Sequence, residues 1–405
     1  MIGFVFTRWG SIAILPNLIE MPSSSPNPRT LALLFLVGCS FSAHGGMQPP
    51  IDAANPPIDS PRDAAPDAAR TDWWDARWTH RHPITIDTSK LSATLTGYPL
   101  AGFPVLVKLT PLTIDYAAVN PDGSDLRFVL PDQTTVLPYE IDTFVPNGTS
   151  LIWVGIPAIT PTAAQQLFLY HGNASAPAIT SGAKVFGDAH VSVHHLGADY
   201  NDATGHPHDG TTTGNPGAIS DSPLGGARRF NGTSDYVTLA GENAYDFTTT
   251  LTVSAWIRVT TFDLDYQAIV TKGDSTWRIH RENTSNHVGF GTRSGGINDN
   301  QEGTTNVDNK QWHHAAIVYD GATKLLYVDG VQNATRSYAL TIDQNNEPVA
   351  IGRNSESTTG GQRFWHGDID EVRISGIACA PAWIGAEYVT ATNAAFVLIG
   401  ADQPY

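Results

Sequence analysis

The sequence predicts an all-β protein of two successive β-sandwich domains, placed behind a signal peptide and a disordered linker. Three observations carry that expectation. Only 15% of the 405 residues are charged, too few for long solvated helices, while 37 Gly and 27 Pro supply turns. Short runs rich in β-branched and aromatic residues recur, each bounded by Gly, Pro, Asn or Asp. One of them, Leu251–Val259, alternates apolar and polar residues as a half-buried strand does. The net charge of −16 argues against nucleic acid as a partner, because a phosphate binder needs a basic face. It leaves neutral glycans and divalent cations open.

The chain begins with an export pattern. Arg29 precedes the apolar run Leu-Ala-Leu-Leu-Phe-Leu-Val-Gly at 31–38, which is shorter than the about 20 residues a bilayer-spanning helix needs. The run ends in Leu36-Val37-Gly38-Cys39, which resembles the lipobox of bacterial lipoproteins. That resemblance implies cleavage before Cys39, a diacylglycerol anchor on its thiol and a membrane as partner. The alternative is an ordinary secretory signal with a chance Cys at its end. Residues 1–20 are interrupted by Arg8 and Pro16, so translation is expected to start at Met21, with 21–38 as the signal. Ser40 after the Cys favours, by analogy, the outer membrane or cell surface.

Residues 39–70 then read as a lipid-anchored linker. The stretch from 45 is rich in Pro, Ala and Asp and holds almost nothing that packs. At ~3 Å per residue it reaches several tens of ångströms from the bilayer. With Cys39 lipidated, the second of the two cysteines, Cys379, is expected as a free, buried thiol.

The first folded domain is expected over 71–178. Strands are read at Ile84–Ile86, Phe103–Leu109, Leu126–Val129, Leu151–Val154 and Leu167–Tyr170. The runs WWDARWTHRHPITID, FPVLVKL, DGSDLRFVLPDQTTVLPYEID, GTSLIWVGIPAI and LFLYHGNASA resemble a bacterial domain of unknown function, family 2341. The family implies an exported or envelope setting, often ahead of a laminin-G-like domain, and no catalytic residues. Asp122, Asp125 and Glu140 form a possible acidic site, but Asp122-Gly123 reads as a tight turn and Asp125 as its cap. His80 and His82 share one face of a strand and could present two nitrogens to a metal, yet no third ligand is evident nearby.

The second folded domain is expected over 186–405. The DATG loop at 202–205 and the phrases RFNGTSDYV, LTVSAWI, WHHAAIVYDG, LYVDG and GDIDEVRI follow in order. Asp329-Gly330 favours a type I′ hairpin turn. This succession resembles the laminin-G-like, concanavalin A-like jelly roll, which implies two antiparallel sheets packed face to face. Such domains bind glycans, proteins or calcium, or serve as spacers.

Site residues follow from that frame. In such jelly rolls the first and last strands lie side by side, which would bring Asp202 towards Asp370 or Asp368. A structural calcium on Asp202 and Asp370 is therefore expected, against the simpler reading of an Asx turn and an Arg pair. Tyr266 and Trp277 are the candidate glycan-stacking aromatics, near variable loops, while Trp365 is assigned to the core. The same fold hosts glucanases, whose retaining members need two carboxyls about 5 Å apart. Asp368 and Asp370 share a strand face, but Glu371 should point to the other, so no catalytic residue is assigned. Of His313 and His314, one should point inward and one outward, and His206 and His208 flank a loop proline as possible zinc ligands. A stretch around Cys379 is expected to form a short helical turn. The chain is thus expected to be a non-catalytic, envelope-tethered module binding glycan or protein. The alternatives are a structural or assembly spacer and, less favoured, a polysaccharide hydrolase.

Overall fold

The computed structural model describes residues 71–356 and 361–405. The expected signal, the anchor at Cys39 and the linker lie outside the described residues. The described residues form one compact unit.

The first sandwich has two antiparallel sheets. One runs, in spatial order, Val397–Ile399, His80–Ile86, Gln165–His171, Arg127–Val129, Val136–Leu137, and Gln403–Pro404 also pairs with His80–Ile86. The other runs Leu100–Leu109, Ser150–Ile159, Tyr139–Thr143. Alternation fills the space between them: Ile84, Ile86, Phe128, Leu167 and Leu169 meet Phe103, Val105, Val107, Ile152 and Val154. The Trp-rich opening seals one end. Trp73 Nε1 donates to the Trp78 carbonyl (2.9 Å), and Trp78 Nε1 donates to that of Asp125 (2.6 Å).

The second domain is a jelly roll. Its back sheet runs Gly217–Ser222, Gly225–Asn231, His366–Ser375, Leu251–Val259, His313–Tyr319, Thr323–Val328, Val331–Ser337, with Ser192–His194 also on His366–Ser375. Its front sheet runs Ile297–Glu302, Val288–Ser294, Trp277–Arg281, Ala268–Thr271, Ala350–Ile351, Tyr236–Leu239, Gly210–Thr213. Val253, Ala255, Ile257, Ile317 and Ile369 from one sheet meet Val237, Trp277, Ile279, Val288 and Phe290 from the other. The first strand, Ser192–His194, does lie beside the last long one, Val372 opposite His194. Asp329 (φ 53°) and Gly330 (φ 73°) adopt the two left-handed conformations of the expected I′ turn.

Several expectations are corrected. Leu251–Val259 is buried on both faces, not half-buried. The reason is that the back sheet is covered: Trp256 packs with Leu106, Leu151 and Trp153 of the first sandwich. The outward His314, beside Trp256, is for the same reason buried too. Glu371 does not face the core. Two residues, Glu371 and Val372, oppose the single Ala255 in a β-bulge, Glu371 takes φ 46°, and Val372 returns to the core. Finally, the jelly roll does not run to residue 405. A 12-residue helix, Pro381–Thr392, rather than a short turn, leads the chain back, and Val397–Ile399 and Gln403–Pro404 join the first sandwich. Ala382, Ala386 and Phe396 lie in the core of that sandwich, where apolar side chains left exposed by a truncated sheet would otherwise meet water.

Candidate binding face of the front sheet

Period 2 sorts the strand Trp277–Arg281: Trp277 and Ile279 enter the core, so Arg278 and His280 face outward. On the neighbouring strand Val288 and Phe290 are inside, which leaves Gly289 and Gly291 facing out. Those two glycines are required by close approach. A Cβ on Gly291 would stand 2.7 Å from the Arg278 guanidinium, and one on Gly289 2.5 Å from a Glu282 carboxylate oxygen. Long side chains therefore lie across the strand instead of standing off it.

The result is a polar cleft of about 220 Å³ lined by Tyr266, Asp274, Arg278, Asn298, Asn300 and Arg363. Arg278 donates to the Asp274 carbonyl (2.9 Å) and to Asn300 Oδ1 (2.7 Å). Arg363 donates to Asp274 Oδ1 (2.5 Å), and its guanidinium lies 5.1 Å from the Tyr266 ring centroid. Tyr266 sits at φ 55°, a conformation unfavourable for an aromatic residue, and its ring is 5.7 Å from that of His280. Beneath the cleft His280 Nδ1 bonds the Arg281 carbonyl (2.6 Å), while its buried Nε2 has no hydrogen-bond partner. Burial, reinforced by Arg278, holds the His280 pKa well below the usual value, so the ring is neutral. Burial also raises the Glu282 carboxyl. Fixed donors and acceptors beside one half-buried aromatic suit a small polyhydroxylated group, and the volume is below that of a drug-sized pocket.

The two expected stacking aromatics lie in different surroundings. Tyr266 borders the cleft. Trp277 is corrected: it is fully buried, donates to the Tyr245 carbonyl (3.0 Å) and stacks on Phe247. The outward residues Arg278, Asn298 and Asn300 were missed, although Trp277-Arg278-Ile279-His280 and Val288-Gly289-Phe290-Gly291 carry the alternation that reveals them.

The two residues expected to hold calcium each have protein partners of their own. Asp202 Oδ1 accepts from the backbone N–H of Val193 (3.1 Å) and Thr204 (3.0 Å), capping its own loop as the Asx-turn alternative has it. Asp370 accepts from Ser222 Oγ and from the Glu371 N–H. Burial, with the Glu371 carboxylate beside it, pushes its carboxyl well above the usual range. Neither belongs to a group of three convergent metal-type ligands among the described residues.

The other carboxylates of the closing strand are committed as well. Asp368 is clamped by Arg229 (2.7 Å) and Arg258 (2.7 Å). Glu371 bonds His195 Nδ1 (2.7 Å) and Arg373 (2.9 Å), which hold it below the usual range against the desolvation that pulls it up. This pair sits at the junction with the first sandwich: His195 is 3.6 Å from Glu140 and stacks near Trp153. Burial raises the neighbouring Asp142 to about 6. Asp125 accepts from the N–H groups of Asn120 and Gly172, a structural cap, so Asp122, Asp125 and Glu140 form no common site. His206 and His208 lie with ring centroids 5.9 Å apart, and neither is in a convergent group of three metal-type ligands among the described residues. Cys379 is a buried free thiol, pushed up to about 12 by burial.

The fold is that of a two-sandwich protein whose larger domain is a concanavalin A-like jelly roll. Residues 231–385 match the family model described as the Concanavalin A-like lectin/glucanases superfamily. Residues 122–210 match a Domain of unknown function (DUF2341), a stretch that ends beyond the first jelly-roll strand. No curated protein matches. Among solved structures, the binding domain of Paraclostridial Mosquitocidal Protein 1 is similar at 16% identity and TM-score 0.44, over 51% of this chain and 53% of that one. Domain 4 of an extracellular arabinanase from Geobacillus stearothermophilus, in complex with arabinotriose, is similar at 20% identity and TM-score 0.40, over 48% of this chain and 96% of that one. The receptor binding domain of botulinum neurotoxin C/D mosaic serotype is similar at 13% identity and TM-score 0.39, over 50% and 51%. The similarity thus spans about half the length of the two toxin domains.

Proposed function

We propose that the chain is a cell-envelope lipoprotein whose jelly roll binds glycan in the front-sheet cleft without cutting it. The observation that carries this reading is the cleft itself, where the Tyr266 ring adjoins the Arg278, Asn298, Asn300 and Arg363 side chains. Sugar hydroxyls pair with such fixed donors and acceptors, and a sugar's apolar face covers an aromatic ring. The superfamily description, which names lectins and glucanases, supports the fold's use for sugars. The binding reading is favoured over hydrolysis by the spent carboxylates of the closing strand: Asp368, Asp370 and Glu371 are all held by other protein groups. In this reading a lipid on Cys39 anchors the protein at the outer membrane or cell surface, and residues 45–70 hold the sandwiches off the bilayer.

The test is a glycan array probed with the full chain, followed by calorimetry on the bound glycans. Tyr266→Asn keeps a residue that tolerates left-handed backbone, and Asn300→Ala shortens a partly exposed side chain. Each is expected to weaken binding about 10-fold, the loss of one good polar or stacking contact. An array on which the wild type binds nothing defeats the reading. The anchor is tested separately: fatty-acid labelling should be lost, and the protein released from membranes, in Cys39→Ser.

One observation favours a second reading, a rigid structural spacer. The two sandwiches share a buried cluster, Leu106, Leu151 and Trp153 with Val193, Leu224 and Trp256, and so move as one body. A blank array with normal membrane anchoring would select it.

A further inference from the structure

Two histidines two residues apart on one strand are not a metal site. The fold supplies what the local sequence lacks. Strand pairing puts His171 directly opposite His80, so that His80 and His82, on one face of their strand, sit beside a third imidazole from 90 residues away in sequence. The last strand, Gln403–Pro404, pairs with Arg81 and His80 and delivers Asp402 to the same place. The His171 ring lies 5.1 Å from that of His80 and 5.3 Å from that of His82, centroid to centroid. Asp402 Oδ2 is 2.8 Å from His80 Nδ1, and its Oδ1 is 3.7 Å from His82 Nε2. Ligand atoms of His80, His171 and Asp402 all lie within 4.8 Å of one another.

The hydrogen bonding settles which nitrogens are free. His82 Nδ1 is 2.9 Å from the Gly400 carbonyl and His171 Nδ1 is 3.3 Å from that of Ala118. A carbonyl only accepts, so both rings carry their proton on Nδ1. That leaves a bare lone pair on each Nε2. Both Nε2 atoms are buried, on residues 4% and 1% exposed, and neither has a hydrogen-bond partner. An imidazole whose N–H is fixed by a backbone carbonyl, with the other nitrogen unpaired, is how proteins orient a metal ligand. A buried acceptor left unpaired is otherwise costly. His82 and Asp402 also line an open cleft of about 480 Å³, which gives an ion a path in.

We propose that His80, His82, His171 and Asp402 bind a borderline divalent transition metal, zinc foremost. Three imidazoles and one carboxylate suit zinc, whereas calcium and magnesium want an oxygen cage. In that proposal His82, outside the convergent group of His80, His171 and Asp402, moves in to complete a tetrahedral set. The ion ties the chain's last strand to the first strand of the N-terminal sandwich, so its role is structural, a clasp between the two ends of the folded part.

The experiment uses untagged full chain stripped of metal. Zinc is titrated against a chromophoric chelator, and cobalt is bound for its visible ligand-field spectrum, whose intensity separates tetrahedral from octahedral sites. One equivalent of zinc, an intense tetrahedral cobalt spectrum and a rise in Tm on adding zinc are expected. His171→Gln should weaken zinc by at least about 100-fold, since even outer-shell losses cost 10- to 100-fold. His80→Gln and Asp402→Asn alter partly exposed side chains, keep the fold testable and should abolish the zinc-dependent rise in Tm. No zinc binding by the wild type, an octahedral cobalt spectrum, or undiminished affinity in His80→Gln/Asp402→Asn would overturn the site.

Discussion

At the scale of single residues, burial decides role more than residue type does. Trp277 and Tyr266 are both aromatics near loops, yet Trp277→Ala should lower stability by about 3–5 kcal/mol in urea unfolding, because a fully buried indole and its hydrogen bond are lost. Tyr266→Asn should leave the urea midpoint nearly unchanged. Buried histidines set an acid limit of the same kind. Burial, then Arg373, holds His190 down to about 4, from an ordinary 6.5. As pH falls from 6.5 the unfolded chain takes a proton that the folded chain refuses until about 4, so stability is lost across that window. The loss attributable to His190 is roughly 3 kcal/mol. Asp142 works the other way: its folded carboxyl, raised to about 6, keeps a proton the unfolded chain releases, and adds stability as pH falls below 6. Comparing wild type with His190→Gln isolates the first effect. The variant should show a shallower fall in Tm between pH 6.5 and 4, and an identical fall removes His190 as its cause. The direction of Trp277 was legible in its alternation with Ile279. The burial of His190 was not, because the groups around it come from distant elements.

At the scale of elements, local pattern located most strands and the Asp329-Gly330 turn. It failed where a strand has two covered faces or an extra residue. Phe103–Leu109 reads as a nearly unbroken apolar run because Leu106 faces the jelly roll while Val105 and Val107 face their own core. Leu251–Val259 hides the same situation behind Thr252 and Ser254, small polar residues that satisfy themselves inside: Thr252 Oγ1 donates to the Ile377 carbonyl and accepts from the Cys379 N–H. The bulge at Glu371 had no sequence signal, since a non-glycine residue occupies the left-handed conformation and is held there by His195 and Arg373. The I′ turn has a contact the dipeptide alone does not reveal. A Cβ on Gly330 would stand 2.9 Å from the Tyr388 Cβ of the C-terminal helix, at a φ of 73°. Gly330→Ala should therefore cost more than the about 1 kcal/mol typical of such turns, read as a lower urea midpoint.

At the scale of the molecule, the candidate sites divide by how far the chain must travel to build them. The front-sheet cleft comes mainly from adjacent strands within about 40 residues and from Arg363, so much of it was within reach of period-2 reasoning. The histidine cluster joins residues 80, 171 and 402, with His82 beside Asp402, and no local pattern could close that distance. The cluster follows from one topological fact, that the jelly roll is inserted between the strands of the first sandwich. The chain enters the larger domain after Gln165–His171 and returns through the helix Pro381–Thr392 to complete the sheet it left. Trp256 stacks on Tyr388 of that helix (5.7 Å), and Leu106 N–H bonds Thr390 Oγ1 (2.9 Å), so neither sandwich can open without disturbing the returning helix. Unfolding should accordingly be one cooperative event. Calorimetry of the full chain is expected to give a single transition whose van't Hoff and calorimetric enthalpies agree, with tryptophan fluorescence and far-ultraviolet dichroism melting together. Deleting residues 393–405 removes Phe396 and both C-terminal strands, and should lower the Tm of the whole rather than fray one end. Two separate transitions, with the jelly roll melting unchanged after that deletion, would show that the sandwiches fold independently and that the returning helix only tethers them.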